Sequence, residues 1–234
     1  MIRKLAIFDI DGTLTNTNAV DDECFLRAVA DVLELELARV DWSGAPHVTD
    51  SAIVQWLSEQ HRGRRVDDEE VDRFVRAFVG HLEVELERAP ARFAPIEGAV
   101  DLFPSLRSAG WDVAIATGGW GPSARLKLRA SRVDEPDLIL ACGSDAVSRE
   151  EIVLLARDRA SSLRGVTYSR VVSIGDATWD VRTAANLGLP FVGVGSGARE
   201  ARLRAAGAPV VLADLQDRDE VLRALATAPV PTRR

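Results

Sequence analysis

Apolar residues recur along this chain with two different periods, and the change from one to the other divides it. Leu5, Ala6, Ile7 and Phe8 form a short unbroken apolar run, the pattern of a buried strand, and Gly12 marks where the backbone leaves it. After Thr15 the spacing turns helical and stays so for about eighty residues. Phe25, Leu26, Val29, Val32, Leu33 and Leu37 fall at helical intervals with acidic residues between them. The stretch 41–50, DWSGAPHVTD, interrupts the pattern, because Gly44 and Pro46 forbid a continuous helix. Thr49 or Asp50 can then cap a second predicted helix bearing Ile53, Val54, Trp56 and Leu57. A turn at 63–68 leads to a third, from Asp68 to Arg88, and Pro90 and Pro95 close the helical block.

From Glu97 onward helices and strands alternate. Strands are predicted at 111–116, 138–141, 170–174, 190–194 and 209–212, with helices at 97–109, 121–131, 148–163, 178–187, 198–206 and 216–226 and a frayed tail at 229–234. Such alternation predicts an α/β fold: a Rossmann-like three-layer core with a parallel sheet and helices on both faces. The all-helical block reads as an insertion into it. The expected division is residues 1–15 and 96–234 as core and 16–95 as a helical module, for which dimerisation is one use.

Composition narrows the function. A chain of 234 residues with 47% hydrophobic and 28% charged residues is an ordinary globular composition. A net charge of −7 argues against nucleic acid or an anionic membrane surface as partner. No stretch approaches the apolar length needed to span a bilayer and the first apolar run is too short for a signal peptide, so a cytoplasmic protein is expected. Cys24 and Cys142 have no metal-ligand spacing and read as small buried residues. Lysine occurs only at Lys4 and Lys127, leaving 27 arginines among the 29 basic residues.

The candidate chemistry begins at Asp9 and Asp11, two residues apart at the C-terminal end of the first strand, the end where open α/β sheets bind ligands. Crowded carboxylates repel, and a cation or a shared proton relieves them; an exposed pair capping the turn is the alternative. Thr117, Gly118 and Gly119 follow another strand and precede a helix, where a hydroxyl and backbone amides can hold phosphate oxygens or merely form a tight turn. Asp176 and Asp180 form GDxxxD after a further strand.

The segment FDIDGTLT (8–15), with these later stretches in the same order, resembles the haloacid dehalogenase-like hydrolase superfamily, and its phosphoglycolate phosphatase-like members with an inserted helical cap. The resemblance implies a magnesium-dependent phosphatase of small phosphorylated metabolites, monomeric or homodimeric. Asp9 would be the nucleophile and form an aspartyl-phosphate; Asp11 would be the general acid and base. Thr117, with Gly12 and Gly118, would hold the phosphate. Asp9, Asp11 through its carbonyl, Asp176 and Asp180 would hold Mg²⁺. The resembled pattern has a Lys in its third motif, whereas DAVSREEI (145–152) contains none. Arg149 is the expected substitute; Lys127, ten residues beyond Thr117, is expected too far along its helix. His47, Thr49 and Asp50 in the interrupted stretch are candidates for contacting the leaving group, although Thr49 and Asp50 can equally serve as helix caps. A phosphomutase or a non-catalytic binding relative is the alternative. A 2-haloacid dehalogenase is disfavoured, having no use for Asp11 as acid and base.

Overall fold

The computed structural model describes residues 3–37 and 42–232; Asp41 of the predicted break and the last two residues of the predicted tail lie outside them. Six strands form one wholly parallel sheet: β1 (Lys4–Phe8), β2 (Trp111–Ala116), β3 (Ile139–Ala141), β4 (Arg170–Gly175), β5 (Phe191–Val194) and β6 (Val210–Leu212). Their order is β3-β2-β1-β4-β5-β6. Connections leave β1 toward β2 on one side while β4 pairs on the other, which opens a crevice at the C-terminal ends of β1, β2 and β4.

The unbroken apolar run of β1 is explained by cover on both faces. Ala6 and Phe8 pack with Leu102, Phe103 and Leu106 of α4 (Leu102–Ser108) and with Val221 and Leu225 of α9, the last helix (Arg218–Thr227). Leu5 and Ile7, on the alternate face, pack with Ile152, Ala156 and Ala160 of α6 (Arg149–Arg164). The remaining helices after β2 are α5 (Gly121–Ala130), α7 (Thr178–Leu187) and α8 (Ala198–Ala205).

The helical block consists of α1 (Asn18–Leu33), α2 (Asp50–Arg62) and α3 (Asp68–Arg88). A capping box starts α3, in which Asp67 Oδ1 accepts from Glu70 N and Glu70 Oε2 accepts from Asp67 N. Phe25, Phe74 and Phe78 meet at the centre of this block, with Trp120, from the loop after β2, packed among them. The two passages between block and sheet lie side by side, Asn16 N donating to Ala94 O at 2.8 Å and Ile96 N to Leu14 O at 2.9 Å.

Two elements differ from expectation. The helix predicted from Glu97 begins at Leu102, because Gly98 adopts φ +84° and its backbone lies so close to Leu215 that a Cβ would stand 2.2 Å from that residue's carbonyl. The tail is tied down rather than frayed as far as Thr232: Phe191 N donates to Pro229 O at 3.2 Å and Pro231 is buried. No helix among the described residues is long and apolar enough to cross a membrane.

Candidate active site

Asp9 continues directly from β1, its N–H donating to Ile174 O of β4 at 2.9 Å. The chain then coils tightly, with Leu14 N and Thr15 N both donating to Ile10 O. Gly12 takes φ +77° in this turn, and a Cβ there would lie 2.0 Å from Asp176 Oδ2, so only glycine lets the two loops approach. Asp11 does not share the surroundings of Asp9. Its Oδ1 accepts from Thr17 Oγ1 at 2.5 Å and its Oδ2 from Lys127 Nζ at 2.5 Å.

Arg149 opens α6 behind a capping box made by Ser148 and Glu151. Its guanidinium donates through Nη2 to Asp9 Oδ1 at 3.1 Å and to Asp180 Oδ1 at 2.6 Å, and through Nη1 to Val48 O at 3.1 Å. Gly118 permits this approach, since a Cβ there would meet Arg149 Nη1 at 2.5 Å. Asp180, three residues into α7, also accepts from Ala177 N at 3.1 Å.

Asp9, Asp176 and Asp180 each bring a carboxylate oxygen within 4.8 Å of the others, and all three are buried. Burial raises the Asp9 carboxyl well above its usual range, and nearby Asp180 adds to the effect while Arg149 opposes it. Burial, reinforced by Asp180, pushes Asp176 up to about 7. Hard oxygen donors that repel one another in a dry pocket fit a divalent cation such as Mg²⁺. The Asp11 carboxylate is outside this group because Thr17 and Lys127 hold it elsewhere, which leaves its backbone carbonyl as the only donor it could offer.

A cavity of about 130 Å³ lies between sheet and helical block. Thr117, Gly118, Arg149, Asp9, Asp11 and Asp176 form its floor, and Thr49 and Asp50 reach it from the helical side. Thr49 and Asp50 both line the cavity, and of the two only Thr49 caps α2. Thr49 accepts from Ala52 N at 3.4 Å, a weak cap, and donates to Val147 O at 2.8 Å; Asp50 accepts from Trp120 N at 2.9 Å. His47 is exposed and does not line the cavity, because the loop turns its ring outward while Val48 and Thr49 go inward. Trp120 lies in the helical block's core and donates through Nε1 to Ser51 Oγ at 2.8 Å, so it joins the two layers and does not wall the pocket.

Lys127 overturns the expectation that it lies too far away. It is 1% exposed, and its Nζ is shared between Asp11 and Asp21, the latter at 2.6 Å. The helix begins at Gly121, so Lys127 stands six residues in, only about 9 Å along the axis. Counting from Thr117 overstated the distance. Asp21, Asn18, Arg199 and Trp179 were not anticipated either. Asn18 and Arg199 both lie 3.3 Å from Asp176 Oδ2, and Arg199 also donates to Gly12 O at 3.2 Å. The one available signal was Lys127 itself, a charged residue at helical spacing beside the apolar Ala124 and Leu128.

The wholly parallel sheet, the acids at the C-terminal ends of β1 and β4 and the cleft beneath the helical block, taken with the relatives that follow, define a phosphoric monoester hydrolase. The chain belongs to the haloacid dehalogenase-like hydrolase family, whose model matches residues 3–188. It is of the phosphoglycolate phosphatase-like type. A protein of Dickeya dadantii (strain 3937) named "Probable phosphatase IndB" is 29% identical over 220 residues, covering 91% of this chain and 90% of that protein. Phosphoglycolate phosphatase of Mesorhizobium japonicum is 24% identical over 206 residues, covering 87% of this chain and 88% of that protein. A solved hydrolase from Pseudomonas syringae shares the fold with a TM-score of 0.72 at 23% identity, covering 96% of this chain and all of that one.

Proposed function

We propose that the chain hydrolyses a small-molecule phosphomonoester through an aspartyl-phosphate on Asp9, with Mg²⁺ as cofactor. The observation that carries this reading is the different treatment of two neighbouring carboxylates: Asp9 lies against Arg149 and the acidic cluster, Asp11 against Thr17 and Lys127. Residues 16–95 act as the cap and the remainder as the core.

Asp9, Asp176 and Asp180, with the backbone carbonyl of Asp11, would hold the cation, and Arg149 orients Asp180; when bound, the cation offsets the charge of phosphate and carboxylates. Thr117 and the amides beside it bind and orient the phosphate. One Asp9 oxygen attacks phosphorus, and the bond from phosphorus to the substrate alcohol breaks. Asp11 gives its proton to the departing alkoxide. Asp11 then takes a proton from water, whose oxygen attacks the phosphorus on Asp9, releasing inorganic phosphate and restoring Asp9. Arg149 stabilises the charge that accumulates on the phosphoryl oxygens. The cap excludes bulk water.

The test is turnover of p-nitrophenyl phosphate before and after EDTA treatment, with Mg²⁺ restored, together with acid-quench trapping of labelled phosphate on Asp11→Asn. Metal-independent turnover, or no label on Asp9 in a slowed variant that still consumes substrate, would refute the mechanism.

A further inference from the structure

The floor of the cavity accounts for a phosphate, but the half beneath the cap is built for something else. Phe25, Val48, Ile53, Trp42 and Trp179 give it an apolar and largely aromatic wall, and Phe25, Val48 and Ile53 are buried. Its charged residues on the cap side are Asp21, Asp22 and Asp50. Among the described lining residues the only cation is Arg149, which Asp9 and Asp180 already occupy. Lys127, behind the wall, is held by Asp11 and Asp21. Asp22 stands exposed at the rim, its Oδ1 accepting from Trp42 Nε1 at 3.0 Å while its other oxygen takes no hydrogen bond among the described residues.

A substrate bearing a carboxylate or second phosphate on its alcohol would meet these acids with no cation to answer it. Asp21 is paired with Lys127, but Asp22 and Asp50 have no ion-pair partner among the described residues, and uncompensated like charges discriminate strongly. An apolar or aromatic alcohol, in contrast, would bury its face on Phe25, Trp42 and Trp179 and could donate to Asp22.

We infer that the site takes phosphomonoesters whose alcohol carries no anionic group and presents an apolar or aromatic face with hydroxyl or amino donors, and that it excludes phosphoglycolate and other carboxylate esters. This rests on the phosphatase reading above and gives it a substrate class. It separates the chain from the phosphoglycolate phosphatases that it resembles in sequence.

The experiment compares kcat/KM, with Mg²⁺ present, for phenyl phosphate, 4-hydroxyphenyl phosphate and tyramine O-phosphate against phosphoglycolate and 3-phosphoglycerate. The three uncharged or cationic alcohols are expected to exceed both carboxylates by at least about tenfold, the discrimination of a single unmatched charge. Phosphoglycolate as good as phenyl phosphate would overturn the inference while leaving the phosphatase reading intact. No turnover of any ester would overturn that reading and the inference with it. In Asp22→Lys the ratio of phosphoglycolate to phenyl phosphate should rise by about tenfold, and an unchanged ratio would remove Asp22 from the specificity wall.

Discussion

Lys127 Nζ lies 2.5 Å from Asp11 Oδ2 and 2.6 Å from Asp21 Oδ1, so a single buried ammonium ties the loop after β1 to the first cap helix through the core helix α5. Burial opposes its charge, but the two carboxylates outweigh that and raise its proton affinity, so it remains an ammonium throughout the accessible pH range. Removing it would leave two crowded carboxylates without their shared cation, a change that commonly costs about 3–5 kcal/mol. Lys127→Met should therefore lower Tm, and it should lower kcat by at least about tenfold because Asp11 loses its orientation. Lys127→Met combined with Asp21→Asn should regain most of the lost Tm but not the lost kcat. Recovery of both would mean that Lys127 serves the fold alone.

Arg149 touches Asp9, the proposed nucleophile, rather than Asp11. Its guanidinium spans Asp9 and Asp180, and only a planar fork can reach both and Val48 O together. Arg149→Ala should reduce kcat/KM by about 100-fold, the usual loss for one preorganised charge. Arg149→Lys should restore part of it, because an ammonium supplies the charge but not the fork. Steady-state kinetics on a phosphate ester decide this. A loss confined to KM would assign Arg149 to ground-state binding instead.

The sheet was legible because its strands are covered on both faces and so read as unbroken apolar runs, Leu5 to Phe8 being the plainest. Asp9, Asp11, Thr117 and Asp176 were legible because each follows such a run at a turn. Of the contacts that distinguish the two carboxylates, Arg149 with Asp9 agrees with the cation expected there from the resemblance, whereas Lys127 with Asp11, across 116 positions, was not legible. Helix boundaries failed where a tertiary approach overrode local preference, as at Gly98 against Leu215. Trp120 likewise takes its partners, Phe25 and Ser51, from the other layer, out of reach of any local pattern.

Glu70 makes the cap sensitive to acid. Hydrogen bonds from Arg64 and then Arg62 hold its carboxyl down at about 2, against 4.5 for an unconstrained glutamate. Because the folded value is depressed, the contribution is fully present above pH 4.5 and disappears as pH falls through 2. Thermal unfolding of wild type and Glu70→Gln should show a Tm gap near pH 6 that closes between pH 4.5 and 2. A gap independent of pH would place the effect in the capping box of α3 rather than in the ion pairs.

Gly12 separates backbone strain from the geometry of the acidic cluster. An alanine there would incur the left-handed φ of +77° and would also drive its Cβ to 2.0 Å from Asp176 Oδ2 and 2.7 Å from Asn18 Oδ1. Gly63 provides the control, with a similar φ of +66° and nothing within 4 Å of its would-be Cβ. The strain alone is about 1–2 kcal/mol in each. Gly63→Ala should therefore lower Tm by a few degrees and leave Mg²⁺ dependence unchanged, as should any substitution whose only cost is conformational. Gly12→Ala must also displace a proposed cation ligand, so the Mg²⁺ concentration for half-maximal activity should rise by about tenfold or more, in the range that follows disruption of a ligand's immediate support. Titration calorimetry of Mg²⁺ into each variant gives the same comparison without turnover. Equal Mg²⁺ affinity in the two variants would mean that Asp176 does not hold the ion.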